Sequence, residues 1–158
     1  MEAVLNPNCS EIVCRLDGEE LEVCTWDHSK ELLDFLLKKR KPIRKAKLLF
    51  RMGEGDWKYI KRVLKMHRHF AEGRITGEQL EEIVKFTWMH RRLPDFLVVD
   101  GRLHLEPTPE KIYCLLTGNP KEVFCRFRDE RRREIMKVYR RYRGNRAEMK
   151  AKLLALVL

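Results

Sequence analysis

The stretch LPDFLVVDGRLHLEP, residues 93–107, has an apolar run, FLVV, before Asp100-Gly101 and alternates polar and apolar residues, RLHLE, after it. An Asp-Gly pair between two runs of this kind is a strong signal for a β-hairpin, because both residues tolerate the positive φ of its two-residue turn. The spacing predicts a hairpin over residues 96–106. Its inward-facing side chains are expected to be Phe96, Val98, Leu103 and Leu105.

A second Asp-Gly pair, at residues 17–18, predicts another hairpin over residues 11–26. Helical spacing of apolar residues fills most of the remaining chain, and proline or glycine separates the segments. Thr76 with Gln79 has the spacing of a capping box, and Thr108-Pro109 is typical of a helix start. We predict helices over residues 29–40, 56–71, 77–92, 109–118, 120–143 and 146–158, with a strand over 43–52. The expected fold is α+β and mostly helical, with two β-hairpins (about 11–26 and 96–106) and five to six helices.

The chain has 158 residues, a usual size for one domain, so a single domain over residues 1–158 is expected. The net charge is +10, yet residues 1–37 carry nine acidic and two basic side chains. This division predicts an acidic hairpin-and-helix part (1–54), a basic helix-helix-hairpin part (55–107) and basic C-terminal helices (108–158). No internal repeat is evident in the sequence.

The composition bears on location and on the kind of partner. No stretch approaches the roughly 18 apolar residues of a membrane span, and the first residues lack the order of a signal peptide, so an intracellular, cytoplasmic protein without a membrane partner is expected. A basic body favours a polyanionic partner through counterion release. The alternative is the charged surface of a heat-adapted protein, which explains 37% charged residues but explains their segregation less readily.

The predicted order of helix, strand, helix, helix and hairpin over residues 29–106 resembles a winged helix-turn-helix domain. The resemblance implies that the helix over 77–92 enters the major groove of DNA, and that the hairpin is a wing presenting Arg102 and His104. Two features depart from the family's pattern: the helix before the recognition helix is long with a loose link after it, and glutamates at the start of the recognition helix would repel phosphate.

Three basic clusters, residues 38–47, 58–69 and 126–146, are typical of a nucleic-acid-binding surface. Such side chains contact phosphates without reading bases, and arginines also stack on exposed bases. Each cluster has the alternative of a solvated surface, in which arginines pair with glutamates one turn away. The predicted nucleic-acid-binding residues are Lys38, Lys39, Arg40, Lys41, Arg44, Lys45, Lys58, Lys61, Arg62, Lys65, Arg68, Lys85, Arg91, Arg92, Arg102, His104, Arg131, Arg132, Arg140 and Arg141.

Support for an enzyme is thinner. The sequence has no glycine-rich phosphate loop, no Gly-x-Ser-x-Gly and no His-Glu-x-x-His. Five cysteines without Cys-x-x-Cys spacing indicate buried or incidental thiols, so no metal and no cofactor is expected. One enzyme hypothesis is a nuclease that uses the carboxylates of Asp95, Asp100 and Glu106. Another is a metal-free, toxin-like ribonuclease that uses His67, His69 and His90.

A protein-binding adaptor within a nucleoprotein assembly is the remaining alternative. The acidic N-terminal hairpin would bind a protein partner, and the apolar C-terminal helix would pack on its own core or form a homodimer with a second copy. The sequence favours a non-enzymatic nucleic-acid-binding protein, foremost a small DNA-binding regulator, with DNA preferred to RNA as the ligand.

Overall fold

The computed structural model describes residues 12–23, 26–51 and 57–158. These residues form six helices and two three-stranded antiparallel sheets, so the predicted α+β class is confirmed. The chain divides into two compact units, Met1–Leu93 and Pro94–Leu158. None of the described helices is both long enough and apolar enough to cross a membrane.

The first unit consists of a sheet and three helices. Its elements are β1 (Ile12–Leu16), β2 (Glu19–Val23), α1 (Trp26–Lys38), β3 (Ala46–Arg51), α2 (Trp57–Ala71) and α3 (Gly77–His90). The sheet has the order β2-β1-β3, so the predicted hairpin gains a third strand on its β1 side. Asp17 and Gly18 both have positive φ, as their turn requires.

Alternate residues of β1 build one side of the core of this unit. Ile12, Cys14 and Leu16 are buried, whereas Arg15 between them is exposed. Apolar faces of the three helices are buried as well, with Leu36, Ile60 and Leu80 fully enclosed. The capping box predicted by the Thr76 and Gln79 spacing is present at the start of α3, which explains why this boundary follows the sequence closely.

The second unit also consists of a sheet and three helices. Its elements are β4 (Phe96–Val99), β5 (Arg102–Leu105), α4 (Pro109–Thr117), β6 (Val123–Arg126), α5 (Glu130–Tyr142) and α6 (Arg146–Val157). The sheet has the order β5-β4-β6. Every residue of β4 is buried: Leu97 and Val99 join a core formed with the three helices, and Phe96 and Val98 are buried on the opposite face.

The helix predicted over residues 120–143 is wrong in its first part. Residues Val123–Arg126 form β6, which pairs with β4, and α5 begins only at Glu130. Val123 and Cys125 pack against the core of the second unit, as alternate residues of a strand do. The side chain of Asp129 accepts a hydrogen bond from the Arg132 amide and caps α5, which fixes where the helix starts.

The two units repeat one order of elements: strand, strand, helix, strand, helix, helix. In both sheets the first strand of the unit lies in the centre. The repeat was not evident in the sequence, because few residue types match at equivalent positions. A winged-helix arrangement over residues 29–106 is not confirmed, since α2 and α3 belong to the first unit and the hairpin β4–β5 to the second. The expectation of a single domain stays a prediction.

Candidate nucleic-acid interface

Asp17 binds the end of the loop that joins α1 to β3, residues 39–45. Its Oδ1 accepts hydrogen bonds from the amides of Lys45 (2.8 Å) and Arg44 (3.1 Å), and its own amide donates to the Lys45 carbonyl (2.8 Å). Its Oδ2 lies 3.3 Å from the Lys39 ammonium. The Lys45 amide, together with the Arg44 amide and the Lys39 ammonium, holds the pKa of Asp17 below its usual value. We call this arrangement the Asp17 clamp.

Helix α2 binds the beginning of the same loop. His67 Nε2 lies 2.8 Å from the Lys39 carbonyl oxygen, and the His67 side chain is fully buried. Burial lowers the pKa of His67, which favours the neutral ring whose Nε2–H donates this hydrogen bond. The Arg40 guanidinium lies over the ring of Phe70, at 5.2 Å from its centroid. The loop is therefore attached to the body of the unit at both ends.

Basic side chains of this loop and of the adjacent strands line an open groove, which we call the basic groove. It has a volume of about 1080 Å³. Its charged lining residues are Arg15, Asp17, Lys39, Lys41, Arg44, Lys45 and Lys47. Six cations thus surround one carboxylate, and that carboxylate is engaged by backbone amides. A concave surface with this excess of one charge concentrates anions from solution.

Few of these cations are neutralised within the described part of the chain. Arg15 pairs with Glu20 at 2.7 Å, and Lys39 pairs with Asp17. Among the described residues no ion pair joins Lys41, Arg44 or Lys45 to a carboxylate, and all three are exposed. Their charges are therefore available to a ligand.

The second unit contains the same clamp without the basic groove. Asp100 Oδ1 accepts hydrogen bonds from the amides of Lys121 (2.9 Å) and Glu122 (2.8 Å), and the Asp100 amide donates to the Glu122 carbonyl. The clamped loop, residues 118–122, has the sequence GNPKE and carries one positive and one negative side chain. The amide hydrogen bonds of the clamp are the same in both units, so of the five basic side chains of loop 39–45 only that of Lys39 takes part in it.

The predicted residues of α2 and α3 have mixed surroundings. Lys58, Lys61 and Lys65 are exposed on α2, as is Lys85 on α3. Arg68 pairs with Glu72 at 3.1 Å. At the end of α3, the side chains of Arg91 and Arg92 lie over aromatic rings of the same helix. The remaining predicted residues of this unit are Lys38, which lies beside a second cavity, and Arg62, which is half-buried.

Predicted arginines of the C-terminal helices hold the second unit together. Arg131 donates to the carbonyls of Leu156 and Val157 at the end of α6. Arg132 Nη1 lies 2.6 Å from Asp95 Oδ2, and both side chains are largely buried. The guanidinium of Arg140 lies 3.6 Å from the Cys125 sulfur, and that of Arg141 lies over the Tyr142 ring. These contacts leave Arg131 and Arg132 with structural roles.

The predicted hairpin residues Arg102 and His104 lie on β5, the edge strand of the second sheet. Arg102 is exposed and His104 is half-buried. Burial, with the charges of Lys111 and Arg102 nearby, lowers the pKa of His104 and thus favours its neutral form. Of the two residues, Arg102 is the better suited to contact a phosphate.

The carboxylates proposed for a nuclease each bind a group of the protein. Asp95 accepts from Arg132 and from the Arg128 amide, and Glu106 accepts from the Asp95 amide. Asp100 forms the clamp of the second unit. Among residues 12–23, 26–51 and 57–158, no three His, Cys, Asp or Glu side chains are grouped so that they could hold a metal ion.

The histidines proposed for a ribonuclease belong to one unit but to different surroundings. His67 is buried and bonded to the loop, and its Nδ1 has no hydrogen-bond partner within the described chain. His90 is exposed and stacks on Phe86. Of the cysteines, Cys14 is buried, which raises its pKa to about 11, while Cys9 and Cys24 lie outside the described residues.

The acidic hairpin proposed to bind a protein partner borders a second, smaller cavity of about 550 Å³. Its lining residues are Glu19, Leu21, Glu31, Asp34, Phe35, Lys38 and Lys39. Three acidic side chains thus line this cavity together with two lysines, and Lys39 lines both cavities.

Sequence reasoning identified the basic cluster over residues 38–47, which includes Lys47, but missed Arg15 and Asp17 as contributors to the groove. Arg15 lies on the exposed face of β1 and Lys47 on β3, and Asp17 fastens the loop. The alternation along β1 could have placed Arg15 on the surface beside the loop. The role of Asp17 could not have been predicted, because it depends on a contact between positions 28 residues apart.

Comparisons with known proteins give no relative for this chain: no protein-family model matches it, and neither a curated protein nor a solved structure is similar to it.

Proposed function

We propose that the protein binds nucleic acid without catalysis, and that the basic groove of the first unit contacts the phosphate backbone. The observation that supports this most directly is the difference between the two clamped loops. Both units hold the loop before their third strand with an Asp-Gly turn, and only loop 39–45 is basic. Since the clamp does not use the side chains of Lys41, Arg44 and Lys45, their charge calls for another role, and phosphate binding uses charge of this kind.

The repulsion among the cations supports the same proposal. Loop 39–45 brings five basic residues together, and the self-repulsion of like charges opposes folding. A polyanion relieves that repulsion and gains free energy by releasing counterions. The groove is open, as a site for a long polymer has to be, and its cations are flexible side chains that follow a backbone without reading bases.

The test is the salt dependence of binding to a duplex DNA, a single-stranded DNA and an RNA hairpin. The variant replaces Lys41, Arg44 and Lys45 together by Gln. These side chains are exposed, and Asp17 bonds to the backbone of the last two, so the clamp should persist. On duplex DNA, losing about three phosphate contacts should reduce the slope of log K against log salt by about 2 to 3.

A matched control carries the same change in net charge elsewhere in the same unit. It replaces the exposed lysines Lys58, Lys61 and Lys65 of α2 by Gln. The proposal expects a smaller loss of affinity from the control than from the groove variant. Equal losses would show that the groove contributes no more to binding than the lysines of α2, and no binding of the unmodified protein at low salt would reject the proposal altogether.

The kind of nucleic acid and the biological role are a second, more specific proposal. From the sequence we propose duplex DNA and the role of a regulator, with Arg102 as a wing contact. Tighter binding to the duplex than to the other two ligands, with the nucleic acid intact after incubation, would support a DNA-binding regulator. Shortened RNA would support the ribonuclease alternative, and a protein that binds no nucleic acid but retains a protein partner would support the adaptor.

A further inference from the structure

We propose that the C-terminal end of α3 stacks an unpaired nucleobase on the ring of His90. This inference rests on the proposed function in its general form, nucleic-acid binding, and not on the preference for duplex DNA, because only an unpaired base can stack on a side chain. The residues that carry it are Phe86, His90 and Arg92, which we call the α3 stack.

The side chains of the α3 stack lie against one another. Phe86 and His90 lie one turn apart on α3, and their rings stack with centroids 4.1 Å apart and planes 30° apart. The Arg92 guanidinium lies 5.2 Å from the centroid of the Phe86 ring. Three planar groups thus lie one over another at the end of α3, as successive bases do in a nucleic-acid strand.

The α3 stack is accessible to solvent, and an aromatic side chain next to it packs on a buried residue. His90 and Arg92 are exposed, and Phe86 is half-buried. Next to them, the ring of Trp88 meets the buried Tyr59 edge-on at 5.2 Å, and Arg91 lies over Trp88. A base that stacks on His90 would therefore meet a side chain that is already positioned, and little ordering would be needed.

The chemistry of this surface fits a base better than a phosphate. The C-terminus of a helix carries a partial negative charge, which disfavours an anion at that point. The face of a base is uncharged and polarisable. It stacks on aromatic rings and on guanidinium groups whatever the sequence of the nucleic acid. Arg91 is exposed beside the ring and can attract a flanking phosphate while the ring holds the base.

The repeat shows that the fold does not require this stack. The corresponding helix of the second unit, α6, ends in the exposed leucines Leu154 and Leu158. Its sequence, RAEMKAKLLALV, contains no aromatic residue. The aromatic and cationic end of α3 is thus a feature of the first unit alone, as the basic groove is.

The experiment measures the affinity of the full chain for labelled oligothymidylate and for the same oligonucleotide with abasic central nucleotides. Removing the bases keeps every phosphate, so it isolates stacking from charge. Unmodified protein should lose about five- to a hundredfold in affinity for the abasic probe, as expected for one stacked base. His90→Ala should lose a similar factor on the normal probe and show little difference between the two probes.

Two further variants make the result specific. His90→Tyr keeps a ring and should retain the preference for the normal probe. Met89→Ala removes the neighbouring side chain, which is 66% exposed and carries no ring, and should leave the preference unchanged. Circular dichroism checks that each variant keeps the helical content of the unmodified protein.

The outcomes separate this inference from the proposed function. If His90→Ala discriminates between the probes as the unmodified protein does, or if the unmodified protein does not discriminate, base stacking at this site is rejected. The groove variant would still weaken binding in that case, and the proposed function would stand. If neither these probes nor duplex DNA binds at low salt, both fail together, and binding of duplex DNA alone rejects only base stacking. Binding of oligouridylate in parallel distinguishes RNA from DNA as the source of the base.

Discussion

Arg132 and Arg133 are consecutive residues of α5 with opposite surroundings. The side chain of Arg132 is 16% exposed and contacts Asp95, whose side chain is 8% exposed. The carboxylates of Glu106 and Asp129 lie slightly farther away, at 3.7 and 3.8 Å. Arg133 pairs with Glu130 at the surface, where more than half of each side chain is exposed. Two arginines of one basic run thus have different physical roles.

Replacing each arginine by Ala should therefore have different effects on the free energy of unfolding. Arg132→Ala leaves the largely buried Asp95 without its cation, and we expect a loss of about 3 kcal/mol, at the lower end for breaking a buried pair. Arg133→Ala removes a solvent-screened pair, which is worth at most about 1 kcal/mol. Urea denaturation followed by circular dichroism measures both. Similar losses in the two variants would show that the Asp95 pair is not structural.

At the level of elements, the Asp-Gly turn of each hairpin forms hydrogen bonds with the residues just before the third strand of the same sheet. Asp17 and Asp100 have φ of 48° and 46°, and the glycines after them are also at positive φ. This conformation turns the carboxylate toward the amides before β3 and β6. The turns therefore close a three-stranded sheet as well as a hairpin.

Equivalent substitutions in the two turns should have equivalent effects on stability. Asp17→Ala and Asp100→Ala each remove the acceptor of two amide hydrogen bonds, and we expect each to cost on the order of 1 to 2 kcal/mol. Asp17→Asn and Asp100→Asn keep an oxygen acceptor and tolerate positive φ, so their cost should be smaller. Thermal unfolding measures the series. An Ala variant as stable as its Asn counterpart would contradict the clamp in that unit.

The sequence predicted most elements because their signals are local. Asp-Gly turns, the Thr76 cap and Thr108-Pro109 each act within a few residues, and the structure has the expected boundaries there. Strand β6 was missed because Val123, Phe124 and Phe127 also fit helical spacing, and pairing with β4 decides between the two. The repeat was missed because few residue types match at equivalent positions and because β6 was predicted as helix. The basic groove was missed because it depends on contacts between distant parts of the chain.

At the level of the whole molecule, the expectation of a single domain predicts one cooperative unfolding transition. Leu36 lies in the core of the first unit and Leu116 in that of the second, and both are fully buried. Replacing either by Ala should cost about 2 to 5 kcal/mol. In one domain, both variants should lower the midpoint of the same transition in a calorimetric scan. Two transitions, each moved by one variant, would show that the units unfold independently.

Loop 39–45 is fastened by Asp17 at one end and by His67 at the other. Its backbone therefore has little conformational entropy left to lose, and an incoming anion meets charges that are already arrayed. The fastened backbone keeps the basic side chains close together. Electrostatic steering by such a group of charges acts before contact, so it raises the rate of association. For any polyanion that enters the groove, we expect added salt to lower the association rate constant much more than it raises the dissociation rate constant.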